Sequence, residues 1–413
     1  MDGSHRVPGL AAFLKDNSRW LGAGALLTLL SSFGQTFFIS IFAAEIQAEF
    51  SLSHGAWGGI YLIGTTASAV VMIWAGGLTD RFRARTLGVW VLALLALSCL
   101  AMAWNAYAAL LPVIIFALRL TGQGMVSHIA IVAMARWFVA TRGRALAVAT
   151  LGFSVGEAVL PLTFVALMTV FDWRMLWVLA AGIALLGVPV LAALLRQERT
   201  PQSMAHENQS VGMGGRHWTR RETLAHPLFW FMAPALGGLS AFGTAFFFHQ
   251  AYFAGLKDWS HLSLVALFPV YTVVGIGAMI ASGAALDRFG TQRLIPLYQL
   301  PLVVAFLIFA SAQSLLGAAL GLFFFALTTG ANTTLPNAFW AEFYGTQHIG
   351  SIKAMAAAVM VLGSAIGPGL TGVLIDAGVD LTVQYVGVAA YFLLAGVGMW
   401  IGVSRARRDL VGA

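Results

Sequence analysis

The sequence predicts an all-α membrane protein in which twelve transmembrane helices form two pseudo-symmetric six-helix bundles. Three observations predict it. Hydrophobic residues make up 59% of the chain and charged residues only 9%, with a mean hydropathy of +0.84, far from soluble usage. Stretches of about 20 apolar residues, each long enough to cross a ~30 Å hydrocarbon layer as a helix, recur with short polar breaks. The two halves of the chain also superpose on one shift of register.

The first stretch, 19 to 44, follows a polar start, MDGSHRVPGLAAFLKDNSRW. That start lacks the short apolar core and small-residue cleavage site of a secretory leader, so the helix is expected to stay attached as a signal anchor. Further stretches at 54 to 78, 86 to 105, 108 to 135, 145 to 170 and 174 to 195 complete a first bundle, residues 1–195. Residues 196–226 hold the longest polar segment, rich in Gly, Ser, Gln and Arg, and are expected to be a cytoplasmic linker. The second bundle, 227–413, contains stretches at 227 to 253, 260 to 286, 294 to 311, 314 to 338, 350 to 373 and 383 to 403. The single cysteine, Cys99, falls inside the third stretch, where an inert buried thiol is expected.

A net charge of +7 and a pI near 9.9 could point to nucleic acid, but the positions of the charges exclude that partner. Arg6, Lys15, Arg19, Arg81, Arg83, Arg85, Arg136, Arg142, Arg144, Arg196, Arg199, Arg216, Arg220, Arg221, Arg288, Arg293, Arg405, Arg407 and Arg408 fall in alternate loops or at the helix ends beside them, with Lys353 at the edge of this set. Only Arg174 and Lys257 fall in the loops between. This asymmetry is the positive-inside signature; both termini are expected in the cytoplasm of a multi-pass protein of a bacterial inner membrane.

A shift that carries Gly76 onto Gly283 also carries Asp80, Arg81 and Phe82 onto Asp287, Arg288 and Phe289. The same shift carries Gly143, Gly156 and Pro161 onto Gly350, Gly363 and Pro368. Two similar halves related by an axis along the membrane normal follow. In the segment GGLTDRFRAR, Gly76 lets two helices approach closely. Asp80 can accept hydrogen bonds at a helix end, and Arg81 and Arg85 can grip acidic groups or lipid phosphates. Contacts that exist in one conformation only act as a latch if the halves rock. The second copy supplies Asp287, Arg288 and Arg293, with weaker latching expected because Leu78 becomes Ala285.

On these residues the chain resembles the major facilitator superfamily from its first stretch to its last. Gly76, Leu78, Asp80, Arg81 and Arg85 match that family's loop signature between helices 2 and 3, with Arg83 where glycine is more usual. ARWFVATRGRA at residues 135 to 145 and HPLFWF at 226 to 231 resemble the branch of oxalate/formate exchangers and monocarboxylate transporters. The eighth stretch has no counterpart of that branch's basic residue, and Lys353 matches a second one only loosely. The resemblance implies a solute carrier that works by alternating access, without enzymatic activity.

Two ionisable residues of fixed charge lie deep in the membrane, Arg119 in FALRLTGQGM and Glu157 in LGFSVGEAVL. Counting ~1.5 Å per residue puts them at similar depth on consecutive helices. Charges there are costly and mark functional sites. The repeat places Ala326 opposite Arg119 and Ser364 opposite Glu157, so the scaffold itself needs neither. Arg119, with Gly122 and Gly124 behind it, resembles the superfamily's helix-4 arginine motif, which implies a role in substrate contact and proton coupling. Arg119 is therefore the candidate anion contact and Glu157 the candidate proton carrier; a permanently ionised structural pair is the alternative. Gln35, Gln123, His249, Gln250, Tyr271 and Asn332 are further candidates for solute contact, each also able to bond a neighbouring helix.

The chain has no Walker loop, dinucleotide glycine fingerprint, HExxH metal spacing or GxSxG elbow, so no cofactor or metal is expected. A gradient must supply the driving force. The expected function is a secondary transporter, symporter or antiporter, that moves a small organic anion such as a carboxylate, with the proton and membrane lipid as partners and a monomer as the working unit. A carrier of a larger neutral or amphipathic compound and a non-transporting membrane sensor are the alternatives.

Overall fold

The computed structural model describes residues 10–138, 141–197, 199 and 211–410; the side chains of Asp80 and Arg142 lie outside the described residues. Among these residues only helices form regular elements. In chain order the spans are α1 (Ser18–Gly34 with Thr36–Phe50, bent by 46° at the break), α2 (His54–Ala75), α3 (Ala84–Ala103), α4 (Ala108–Trp137), α5 (Gly143–Met168) and α6 (Trp173–Leu194). Then follow α7 (Pro227–Phe248), α8 (His261–Phe289), α9 (Leu300–Ser311), α10 (Leu315–Tyr344), α11 (Ile349–Asp376) and α12 (Leu381–Asp409). Ten long helices, the bent pair and the shorter α9 thus supply the twelve expected spans.

The starts of these helices follow from local chemistry. Asp172, Ser314 and Asp380 each accept a hydrogen bond from a backbone amide of the next turn, at 2.9, 3.2 and 2.7 Å, and so cap α6, α10 and α12. Pro227 opens α7, where a missing N–H costs nothing. The structure departs from the expected bounds where the backbone breaks. α9 is short because residues 295–299, with Pro296, form turns, and Pro301 sits in the first turn of the helix, where its missing N–H costs nothing. α7 stops at Phe248, since His249 leaves helical angles (φ −99°, ψ 19°) before a short helix, Gln250–Leu256, resumes.

The chain divides into two compact units. The first comprises residues 1–35, 67–156 and 171–206. Its core is formed by buried Leu92, Leu95, Trp177, Ala180 and Ala184 on α3 and α6, and Cys99 is fully buried there. The second comprises residues 36–66, 157–170 and 207–413. Its core is aromatic: Phe246 stacks on Phe309 with centroids 4.5 Å apart, and Phe253, Phe306, Phe325, Tyr385 and Phe392 surround them. Residues 36–66 of α1 and α2 and residues 157–170 at the end of α5 therefore belong to the same compact body as α7–α12.

Within the second unit the described end of the linker is ordered against α10. Trp218 N–H donates to the Tyr344 carbonyl at 3.0 Å, and the Trp218 indole donates to the Met213 carbonyl at 3.0 Å. Thr219 and Glu222 form a reciprocal capping box, and Arg216 pairs with Glu222 at 2.6 Å. Hydrogen bonds from the Thr219 backbone and hydroxyl, then the Arg216 contact, hold the Glu222 carboxyl down at about 2.

Candidate functional site

In the first unit the site is built on two irregular helices. α4 is π-helical over Arg119–Val126, and α1 breaks after a 3-10 turn at Ser31–Gly34. The irregular stretches pack glycine on glycine. A Cβ on Gly34 would run into the Leu118 carbonyl and come within 2.7 Å of Gly122 Cα, and a Cβ on Gly122 would lie 2.6 Å from Gly34 Cα. Only residues without side chains allow this approach. It places the Arg119 guanidinium under the broken end of α1, where Nη1 donates to the Gly34 carbonyl at 3.2 Å. Arg119 is 1% exposed, while Gln35, next in the chain after Gly34, is 9% exposed and Gln123 is half-buried. Wide turns and interrupted helices at membrane depth free backbone groups and occur where ligands bind.

In the second unit Glu157 is half-buried on α5. Pro161, one turn further on, has no N–H to give the Glu157 carbonyl, which weakens the helix there. The carboxylate lies within electrostatic range of the Tyr271 hydroxyl on α8. Tyr271 is 6% exposed, donates to Thr329 Oγ1 at 3.2 Å and packs against Phe247 and Phe325. Asn332, one turn after Thr329 on α10, accepts at Oδ1 from the Tyr298 hydroxyl at 3.3 Å, and Gln299 donates to the same hydroxyl at 3.0 Å.

His249 and Gln250 take part in a seam within the second unit. Gln250, fully buried, donates to Ser40 Oγ at 2.9 Å, joining the start of the Gln250–Leu256 helix to the second half of α1. His249 Nε2 donates to the Pro368 carbonyl of α11 at 3.0 Å, which fixes its proton on that nitrogen. Beside it α2 meets α11. Asp376 accepts hydrogen bonds from the His54 and Gly55 amides at 3.1 and 2.8 Å, and Ser53 Oγ accepts from the Ala56 amide at 3.1 Å. Three of the four orphan donors at the start of α2 are thereby satisfied. Gly58 lies on Gly369, where a Cβ would come within 2.7 Å of the opposing Cα, and Gly372 lies against the His54 carbonyl. Trp57 stacks on Phe248 at 5.6 Å, and the His54 ring faces Tyr252 at 4.4 Å.

The sequence reasoning did not single out His54, Gly58, Gly369, Gly372 or Asp376. A signal existed: an aspartate ends a span in a chain with only 16 acidic residues, behind glycines at 367, 369 and 372.

The candidate latch residues of the first copy lie in the first unit. His128 Nε2 donates to the Gly76 carbonyl at 3.3 Å, Thr79 donates to the same oxygen at 2.8 Å, and Arg136 donates to the Thr79 carbonyl at 2.7 Å. Arg81 and Arg85 are exposed, and the Asp80 side chain lies outside the described residues. In the second copy Asp287 and Arg288 are exposed, Arg288 sits over the Phe289 ring at 5.3 Å, and a Cβ on Gly283 would meet open space.

Twelve apolar spans, a duplicated glycine and charge pattern, and interrupted helices around a buried arginine define a membrane transporter. The family model described as Major Facilitator Superfamily matches residues 24–368, and the chain belongs to that superfamily. No curated protein matches the chain. Among solved structures it is similar to a bacterial homolog of the human lysosomal transporter Spinster in an inward-facing and unoccupied conformation, with a TM-score of 0.71, 15% identity, and 96% of this chain and 98% of that one covered. It is similar to a D-xylose-proton symporter at 0.71 and 14%, covering 95% and 99% of the two chains. The nucleoside transporter NupG matches at 0.70 and 11%, covering 94% and 99%. At such identities the likeness speaks for the fold alone.

Proposed function

We propose that the chain is a proton-coupled secondary transporter that carries a small organic anion, such as a carboxylate, across the bacterial inner membrane by alternating access. The six-helix halves 1–195 and 227–413 are its moving bodies, joined by the cytoplasmic linker 196–226, with both termini in the cytoplasm. The observation that carries the reading is Arg119, a cation 1% exposed on a π-helical turn and directed at the break in α1. Its fork of donors suits a carboxylate, and binding energy there is large because water is excluded. Glu157 carries the proton. Neutral, it costs little to hold at membrane depth; ionised, it needs water or a donor such as the Tyr271 hydroxyl, so its protonation favours one conformation over the other. ARWFVATRGRA and HPLFWF support the carboxylate class through their resemblance to the oxalate/formate and monocarboxylate branch.

The test is flux in proteoliposomes with an imposed pH gradient and a panel of carboxylates. Glu157→Gln should abolish gradient-driven accumulation while leaving solute counterflow, and Arg119→Ala should weaken anion affinity at least ~tenfold. Accumulation unchanged in Glu157→Gln, or affinity unchanged in Arg119→Ala, overturns the assigned roles. Binding without any counterflow would make the chain a sensor.

A second reading, an uncharged or amphipathic solute, is supported by the ring wall of Tyr271, Phe247 and Phe325, and by the sugar and nucleoside carried by two structural neighbours. Under it Arg119→Ala leaves affinity intact while a carboxylate panel shows no competition.

A further inference from the structure

In the second unit a strap of chain, residues 211–226, crosses the end of α10 and runs into α7. Gly212 lies directly on the turn that ends α10, where a Cβ would come within 2.5 Å of the Phe343 carbonyl. Met213 and Trp218 are buried in the cluster that holds Tyr344, and Trp218 meets the Tyr344 ring edge-on at 5.6 Å. The strap ends at His226, whose side chain caps α7: Nδ1 accepts from the Leu228 amide at 3.3 Å. The first residues of HPLFWF thereby gain a physical role. Pro227 follows the cap as the first helical residue, and the His226 ring lies 4.9 Å from Trp218 and 6.3 Å from Tyr344.

A cap of this kind needs a bare nitrogen. The neutral imidazole carries its proton on Nε2 and leaves the Nδ1 lone pair to the Leu228 amide. The imidazolium is a donor at both nitrogens, so its Nδ1–H would face the Leu228 N–H with no acceptor between them. The charged groups around the ring oppose one another. Asp409, in the turn Arg407–Asp409 after α12, draws the charged form, but it is exposed and flanked by Arg407 and Arg408. Arg216, over the Trp218 ring at 4.2 Å, repels it, and Glu222, the partner of Arg216, is engaged in the capping box. Tyr344 faces it from α10 as a ring edge. Burial sets the balance: it holds His226 below the ordinary histidine value, with Asp409 pulling up and Arg216 pushing down.

We propose that His226 is a proton-operated release for this strap: acidification on the linker side of the membrane protonates the ring, uncaps α7 and frees residues 211–226 from the end of α10. A docked strap prefers the neutral ring, and a released strap lets the ring titrate at its ordinary value of 6.5. Docking is therefore at full strength above that value and weakens as pH falls below it. The release acts whatever solute the protein carries, because it uses neither Arg119 nor Glu157.

The experiment uses the full chain in phosphatidylcholine nanodiscs, with hydrogen–deuterium exchange of peptides from 211–226 followed between about pH 7.5 and 5.5. Rates are divided by the intrinsic exchange rate at each pH, so that protection alone is compared. The Trp218 amide, bonded to the Tyr344 carbonyl at 3.0 Å, is the reporter. Wild type should lose protection there by roughly threefold or more across the range, while peptides from α3 keep theirs. His226→Asn supplies a capping oxygen that does not titrate and should give a level profile; His226→Ser reads the same should the asparagine variant fail to fold. Glu222→Gln weakens the capping box, whose carboxyl titrates below this window, and should lower protection at every pH while keeping the slope. Protection in wild type that ignores pH overturns the proposal, as does a slope that survives in the His226 variants. Loss of the slope in Glu222→Gln would assign the titration to the capping box and overturn it equally.

Discussion

Asp376, the last residue of α11, caps α2 by accepting the His54 and Gly55 amides on its two carboxylate oxygens, at 3.1 and 2.8 Å. A helix start is commonly capped by a neighbour in sequence; here the acceptor comes from 322 positions away. The cap exists only while the two helices touch, so the seam and the start of α2 gain stability together.

Asp376→Ala should therefore loosen the seam. Losing a cap of this kind costs about 1 kcal/mol, a fall in thermal midpoint on the order of 2 °C for a chain this long. The His54 and Gly55 amides, which donate to the carboxylate, should exchange with deuterium faster in the Asp376→Ala variant. Equal exchange rates in the two proteins would show that the carboxylate does not hold the seam.

Gly58→Val tests the close approach itself. The nearest atoms to a new Cβ are backbone atoms of Gly369 and Pro368 at 2.7 and 2.8 Å, which cannot swing aside. The helices must part, so the variant should still insert and purify while losing transport by tenfold or more, on the order of the 1–3 kcal/mol that overpacking costs. Wild-type flux in Gly58→Val would mean that the seam never has to close this tightly.

Gly122→Ala puts a methyl group against Gly34 Cα and N, at 2.6 and 2.7 Å. The expected result is a stability loss of about 1–3 kcal/mol together with displacement of Arg119 from the Gly34 carbonyl. Gly124→Ala meets the flexible Met72 side chain instead, with its Sδ at 2.9 Å, and should be milder in thermal denaturation. A reversed ranking would remove the Gly34–Gly122 contact from the argument.

The capping box at Thr219 predicts a pH effect. Glu222 is depressed to about 2 in the folded protein, so its contribution is fully present above the ordinary glutamate value of 4.5 and is lost as pH falls from there towards 2. Thermal midpoints of wild type and Glu222→Gln should differ at pH 6 and converge by about pH 2 to 3. A constant gap across that window would show that the ionised carboxylate contributes nothing specific.

The spans were legible because a lipid-crossing helix needs only length and low polarity, which the residues of α2 to α8 and α10 to α12 carry locally. The break in α1 was not. SSFGQTFF reads as part of one continuous span, and the close approach of Gly34 to the Leu118 carbonyl and to Gly122 on the π-helical turn of α4 is a tertiary contact. The depth of Arg119 could be counted from the helix ends, yet its partner, the Gly34 carbonyl, depends on that same tertiary contact. Gln250 illustrates the same limit. It is a candidate for solute contact by residue type, and its amide bonds Ser40, a partner that no local pattern names. Asp376 was overlooked because at the end of a span an aspartate looks like ordinary loop chemistry.

Where α2 crosses α11 the surfaces in contact are mostly peptide, since Gly58, Gly369 and Gly372 bring no branches to interlock. Beyond the first turn of α2 the peptide groups are bonded along their own helices, while the His54 and Gly55 amides depend on Asp376. Resistance is therefore concentrated in a pair of short, directional bonds that vanish within an ångström or two of travel. The joint behaves as a snap fastener: firm at rest, abrupt in release, and nearly frictionless afterwards.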